Sequence, residues 1–416
     1  MRRGVSLGRD YGWLWAAYAG STMGTWVAFN AFPLLAITVL HEGTAAVAAL
    51  AAVGAAVGAA VAVPLGPWVE FRRKRPVMIA MDLVRCAALL SVAVAYAFGW
   101  LGFAQLLVVS VLVAAADITF GAASGAFLKA LVRPEDLLVA QARFESTTWT
   151  ATVIGPPLGG ALFAVLGPVA TVVADALSYL LSAAGIRAIG TREEQPEGGT
   201  GARLSAGDLL EGWRGILAHP VLRPLFLNTL VVNGLIMATA PLLAVLMLGP
   251  LGFSPWQYGL AFAVPCAAGL IGSRLARPLV VRFGQRRVLL VSGALRACWP
   301  VGLVFIHPGV TGLLLVIGIE FALIGCAAVF TPVLAAHRLQ VTASGRVART
   351  LTAWSVSTKT SIAAMTALGG ALATVTGPRA ALGVAGVLLL ATPLLLPWAA
   401  GRTPSGIDTC KSSVTG

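Results

Sequence analysis

Charge is scarce in this chain, and acid most of all. Only 16 of its 416 residues are Asp or Glu, and charged residues of both signs make up 11%. Soluble domains carry roughly 25%. With 58% hydrophobic residues and a mean hydropathy of +0.88, there is too little polar surface to cover a water-soluble globule. A soluble enzyme and a disordered chain are thereby excluded. Cysteine is sparse as well. The five residues Cys86, Cys266, Cys298, Cys326 and Cys410 show no C-x-x-C spacing, and four lie in apolar stretches. They read as small hydrophobes rather than as a disulfide framework or metal ligands. The four histidines, His41, His219, His307 and His337, stand singly near expected loops, so no metal site or cofactor is expected. The phosphate-binding pattern G-x-x-x-x-G-K-[ST] is missing, which argues against nucleotide drive. No nucleophile–base pair stands out either, so no enzyme is expected. Finally, the apolar stretches do not alternate, which argues against a β-barrel.

What is present is a series of long apolar runs. A helical span needs roughly 20 such residues. Twelve candidates occur, near 12–39, 45–66, 77–98, 103–130, 138–166, 168–188, 222–248, 257–279, 288–306, 309–333, 350–375 and 379–400. The basic start MRRGVSLGRDYGWLW leads into a run longer than a signal peptide, without an A-x-A site, and is read as a retained first span. Of the 29 Lys and Arg residues, all but Arg85, Arg296, Lys359 and Arg379 fall on one side of a twelve-span arrangement. That side is expected to be cytoplasmic and to hold both termini, in a multi-pass protein of the cell inner membrane. The net charge of +13 is then a topology signal with contact to lipid headgroups, and nucleic acid is not an expected partner.

The longest polar stretch, about 189–221, divides the chain into an N-terminal bundle (1–188) and a C-terminal bundle (222–400), followed by a tail (401–416). Within it, LSAGDLLEGWRGILAHP has a helical period and reads as an interfacial helix. The halves repeat. A shift of 211 places RPVMIAMDLVRCA from Arg75 on RRVLLVSGALRAC from Arg286, and Arg85 on Arg296. A shift of 210 places Gly159-Gly160 on Gly369-Gly370, and one of 203 places Asp117 on Glu320. Two similar six-span halves imply a transporter with a cleft between them.

Ionisable groups at mid-span cost about 2.5–3.5 kcal/mol or more, and persist where they face a cavity or a partner. Asp117 and Glu320 are the most central. Lys359 lies one-third along span eleven; it could pair with Glu320, meet substrate, or snorkel to the surface. Arg85 with Asp82, and Arg296, are expected near the basic ends as structural pairs. Arg143 and Glu145 open span five and are assigned to the basic-side charge cluster. Asp175 is read as structural. Span one carries Trp26, Asn30 and Pro33; span seven carries Asn228, Asn233 and Pro241. Proline within a span makes a hinge, and asparagine offers donors and acceptors in an apolar cavity. Trp13, Trp15, Trp68, Trp100, Trp256 and Trp398 lie near span ends, as an interfacial belt does.

GPWVEFRRKRPVMIAMDLVRCAALL, RPLVVRFGQRR and VIGPPLGGAL carry patterns that resemble those of the major facilitator superfamily, and within it bacterial drug and siderophore exporters of the macrolide-efflux and enterobactin-exporter type. GPWVEFRRKRPVMIAMDLVRCAALL resembles the loop motif G-x-L-A-D-R-x-G-R-R between spans two and three. Gly66 matches its glycine, Glu70 replaces its Asp, and Lys74 and Arg75 match its basic pair. Phe71 and Arg73 depart from it. The second-half loop RPLVVRFGQRR keeps Arg282, Gly284, Arg286 and Arg287, but has Val281 in place of the acid. VIGPPLGGAL resembles the exporter motif G-P-x-x-G-G, with Gly155, Pro156, Gly159 and Gly160 in place. The opening segment, VADALSYLLSA, LLEGWRGILAHPVLRPL and LGFSPWQYG also look like this group.

The resemblance implies an all-α membrane protein of twelve helices in two pseudo-symmetric six-helix bundles. It places the first and fourth spans of each half around the substrate path. Glu320 first, and Asp117 second, would then carry the proton, with Lys359, Asn30, Asn233 and Trp26 around the cavity. A carboxylate at Glu70 would latch the halves through a helix N-terminus, while glycines at Gly155 and Gly159 permit close helix packing. The expected activity is export of a small amphiphilic compound, such as a drug, in exchange for protons, by a monomer. A siderophore, an endogenous metabolite or a lysolipid as cargo is not separated from this by the residues. A membrane sensor without transport is a more distant reading.

Overall fold

The computed structural model describes residues 7–29, 31–41, 44–167, 169–191, 193 and 206–398. Among them no strand occurs. Span one is broken in two. α1 (Arg9–Val27) stops before the Asn30 region and α2 (Ala31–Thr38) resumes after it, with Pro33 in the first turn of α2, where its missing N–H costs nothing. The N-terminal half continues with α3 (Thr44–Glu70), α4 (Lys74–Ala97), α5 (Phe103–Leu131), α6 (Leu137–Leu166) and α7 (Ala170–Arg187). After the connection comes α8 (Ala206–Ala218). The second half holds α9 (Leu222–Leu248), α10 (Pro255–Phe283), α11 (Gln285–Cys298), α12 (Val310–Val341), α13 (Val347–Thr376) and α14 (Pro378–Ala391). α11 and α14 are prolonged by 3-10 turns, Trp299–Phe305 and Thr392–Leu395. By length and composition alone, eight of the described helices are apolar enough to cross a membrane. With the broken first span, the apolar α3, and the more polar α7 and α13, this makes the twelve-span fold of two bundles.

Sharp turns carry glycine. Gly284 joins α10 to α11 at φ +84°, and Gly377 joins α13 to α14 at the same value, a region costly for residues with a Cβ. The first half packs α1 on α6 and α7, α3 on α5, and α4 on α5 and α7. The second half packs α9 on α13 and α14, α10 on α12, and α11 on α12. The bundles meet where α3 and α5 touch α13, and where α6 touches α10 and α12.

The repeat reappears as matching contacts. Arg75 donates to the carbonyls of Ile186 (3.0 Å) and Arg187, at the end of α7. Its counterpart Arg286 donates to the carbonyl of Trp398 (2.6 Å), past the end of the last helix. Each basic loop therefore ties its half's third helix to the end of its sixth. The face carrying these loops also holds the start of α1. There Asp10 accepts hydrogen bonds from the Thr191 hydroxyl and from the backbone of Gly190 and Thr191. These bonds hold its carboxyl below the usual range. α8 does more than lie at an interface. Glu211 pairs with Arg346 (3.2 Å) and with Arg349, and Trp213 donates to Ser357 on α13 (2.8 Å).

Candidate functional site

Between the bundles lies a cavity of 620 Å³, walled by α1, α5 and α6 on one side and by α9, α11, α12 and α13 on the other. Its floor, toward the basic face, is closed by bonds between the halves. Lys129 donates to the carbonyl of Thr342, Gln340 to that of Pro134 (2.9 Å), and the Arg349 amide to Glu70 (3.2 Å). Gly66 lets α3 approach α13, because a Cβ there would meet Thr352 at 2.9 Å. Ser146 and Ser273 share a hydrogen bond of 2.7 Å between α6 and α10. These residues lie in the halves of their helices nearer the basic face, or, for Pro134 and Thr342, in the connections at that face.

Asp117 sits midway along α5 and faces the cavity, its side chain 57% exposed. Lys359 on α13 reaches it from the other bundle, with Nζ donating at 3.2 Å. Arg85 of α4 stands 3.6 Å from the same carboxylate and 2.5 Å from Asp82. That guanidinium is buried, sandwiched by the rings of Phe120 (4.6 Å) and Tyr179 (4.2 Å). A line of alternating charge thus runs Asp82, Arg85, Asp117, Lys359. Arg85 is not at the basic end, where sequence placed it: it lies three turns into α4. Lys359 meets Asp117 and not Glu320.

Other residues fall differently from one another. Asn233 lines the cavity. Glu320 is buried on the side of α12 that packs against α10, near Tyr258 and Cys266, and is not among the cavity's lining. Trp26 stacks on Phe29 at 5.1 Å and packs beneath Gly155. Asn30 lies outside the described residues. Gly155 and Gly159 abut the backbone of Trp26 and Val27, so this motif seats α6 on α1 within one half, while Gly160 faces open space. Pro156 lies inside α6. In the loops, Lys74 closes the end of α3 by donating to the carbonyls of Val69, Glu70 and Arg72. Arg282 is exposed and lies over the Phe283 ring (5.2 Å), beside Gly284.

Two charged lining residues were misread from the sequence. Glu145, assigned to the basic-side cluster, lines the cavity and accepts a hydrogen bond from the Trp149 indole at 2.9 Å. Arg338, assigned to the loop after span ten, is still inside α12 and lies over the Trp354 ring at 4.8 Å, also lining the cavity. Arg338 lies beyond the expected span because α12 runs about two turns past the apolar stretch that ends near 333. Glu145 lies within the expected span, and hydropathy alone does not separate a cavity-facing acid near a helix start from one at the basic surface.

Comparison with known proteins follows the same outline. The sequence matches the family model described as Major Facilitator Superfamily over residues 14–337 and again over 242–414. No curated protein sequence matches. Among solved structures, a bacterial homologue of the iron transporter ferroportin, in an outward-facing state, superposes with a TM-score of 0.79 at 16% identity, covering 93% of this chain and 98% of that one. The human organic anion transporter MFSD10 gives 0.75 at 14%, covering 93% and 98%. The transporter FucP in its outward conformation gives 0.70 at 14%, covering 94% and 98%.

Proposed function

Because the chain belongs to the Major Facilitator Superfamily, we propose that it is a secondary active exporter, moving a small amphiphilic compound out of the cell in exchange for protons. The observation that carries this reading is the Asp117–Lys359 pair. It joins the two bundles at mid-depth and borders the cavity. With the basic face taken as cytoplasmic, the cavity is closed on that side and the state is outward-facing. Protonating Asp117 removes the charge that holds Lys359 and Arg85 together, so the bridge between the bundles loosens. A proton from outside can then trigger the swing that exposes the cavity to the cytoplasm. Asp117 suits this role better than Glu320, because the latter packs against α10 away from the lining. Glu70 on the Arg349 amide secures the closed face in the same state.

The test is flux in proteoliposomes of the purified chain, driven by an imposed proton gradient and read with a panel of amphiphilic dyes. Uphill movement should vanish with an uncoupler and with Asp117→Asn. Accumulation that ignores the gradient, or that survives Asp117→Asn unchanged, overturns the reading.

A further inference from the structure

The ionisable side chains of the cavity are sorted by bundle. Its acids, Asp117 and Glu145, come from α5 and α6 of the first half. Its bases, Arg296, Arg338 and Lys359, come from α11, α12 and α13 of the second. Asp117 and Lys359 satisfy each other. That leaves Glu145 on one wall, and Arg296 with Arg338 on the other.

Arg296 lacks what its counterpart in the repeat has. Arg85 meets two carboxylates. Arg296, at the repeat position, has Gly293 where Arg85 has Asp82. The Phe330 ring fills the space of the lost acid, because a Cβ on Gly293 would strike it at 2.8 Å. Arg296 stacks on that ring at 3.6 Å and donates to Asn228 Oδ1 at 2.8 Å. The Asn228 amide in turn donates to the Thr392 carbonyl (2.9 Å), which fixes its oxygen toward the arginine. Arg296 is 2% exposed, and its Nε has no partner. The Nε of Arg338 is also unpartnered. Among the described residues neither arginine meets a carboxylate. A buried cation held this way is stabilised by an anion brought from outside.

We propose that the cargo is zwitterionic: an amphiphile whose acidic group docks at Arg296 and Arg338 and whose ammonium faces Glu145. This rests on the transport reading of the cavity, and narrows it to a substrate class. A purely cationic amphiphile would leave the basic wall unmatched, and a purely anionic one would leave Glu145 unmatched.

Three probes sharing one fluorophore test it on the purified full-length chain. Nε-dansyl-lysine carries amine and acid, dansylcadaverine the amine only, and dansyl-6-aminohexanoate the acid only. Binding is read from energy transfer between protein tryptophan and dansyl. The zwitterion should bind about tenfold tighter than either single-charge probe, the size of one good charge pair. Arg338→Gln should lower its affinity to that of dansylcadaverine, and leave dansylcadaverine itself unchanged. Glu145→Gln should do the converse. Arg296→Gln should act as Arg338→Gln does; should it fail to fold, the three-probe comparison on the unaltered chain still decides. Equal affinity for all three probes, or tightest binding of a single-charge probe, overturns the proposal. Zwitterion preference without proton-linked flux would sink the exporter reading and leave this one standing. Proton-linked flux of dyes without that preference would do the reverse.

Discussion

The Glu70 carboxylate, at the last residue of α3, accepts a 3.2 Å hydrogen bond from the backbone N–H of Arg349, in the first turn of α13. A side chain of one bundle thereby caps a helix of the other, satisfying one of the four amides that a helix start leaves open. The bond spans the two bundles at the closed basic face, so parting α3 from α13 there would break it.

Glu70→Ala should therefore favour opening of that face. Loss of a cap costs about 0.5–2 kcal/mol, enough to raise the open fraction several-fold. Spin labels at the exposed positions Arg72 and Arg346, in a cysteine-free background, should show a larger long-distance population by pulsed electron resonance. An unchanged distance distribution would mean that the carboxylate does not hold the face closed.

The Asp117 cluster predicts an asymmetry between its members. Lys359→Gln leaves the acid with Arg85 still 3.6 Å away, and both members of the broken pair reach water, so stability should fall by no more than about 1 kcal/mol. Asp117→Asn leaves Lys359 unneutralised and Arg85 with Asp82 alone, and should cost more. Adding Lys359→Gln to Asp117→Asn should recover part of that loss, and exchanging the two charges should not, since a lysine at 117 would face Arg85. Thermal unfolding of the four variants in detergent checks the order; equal losses for the two single variants would disprove the coupling.

The glycine motif of α6 makes a contrast between neighbours. A Cβ at Gly159 would run into the Val27 carbonyl, which is backbone and cannot swing aside, whereas Gly160 faces open space. Gly159→Ala should destabilise by about 1–3 kcal/mol. Gly160→Ala should be neutral in the same melting assay. Similar melting temperatures for both would show that α1 and α6 are not packed through this face.

Asn228 offers a way to supply the acid that the second half lacks. Asn228→Asp would place a carboxylate against Arg296, where Oδ1 now stands 2.8 Å away. The variant should fold, and should bind Nε-dansyl-lysine no better than dansylcadaverine. Retained preference would show that Arg296 does not receive the acidic group. Asn228→Leu strips the arginine of that partner and should cost about 1–3 kcal/mol.

The spans, the basic face and the two-half repeat were legible because each follows from hydropathy, charge position and periodicity along one chain. The contacts between chain-distant helices were not. Nothing local distinguishes Asp117 from Glu320 as the partner of Lys359. The pairing of those two acids also used a shift of 203, while the other repeats run at 210 and 211. The longer spacing places Ala327 opposite Asp117, so Glu320 stands about two turns, roughly 10 Å, further from the basic face. Arg338 falls past its expected span because the apolar window ends where polar residues begin, whereas α12 continues through them along the cavity. Glu145 falls inside its span, but hydropathy does not tell a polar residue facing a cavity from one facing the basic surface. The break between α1 and α2 had a signal in Asn30 and Pro33, though Pro33 starts the second piece and does not bend a continuous one.

The arginine that pins the third helix of each half to the end of its sixth, Arg75 in one and Arg286 in the other, makes every half a braced frame. Distortion during the transport cycle is thus driven out of the frames and into the seam, a thin joint fastened by a few polar stitches near the basic face. Small chemical changes at that joint, the gain of one proton or the loss of one cap, are the scale of event that can tip the whole machine.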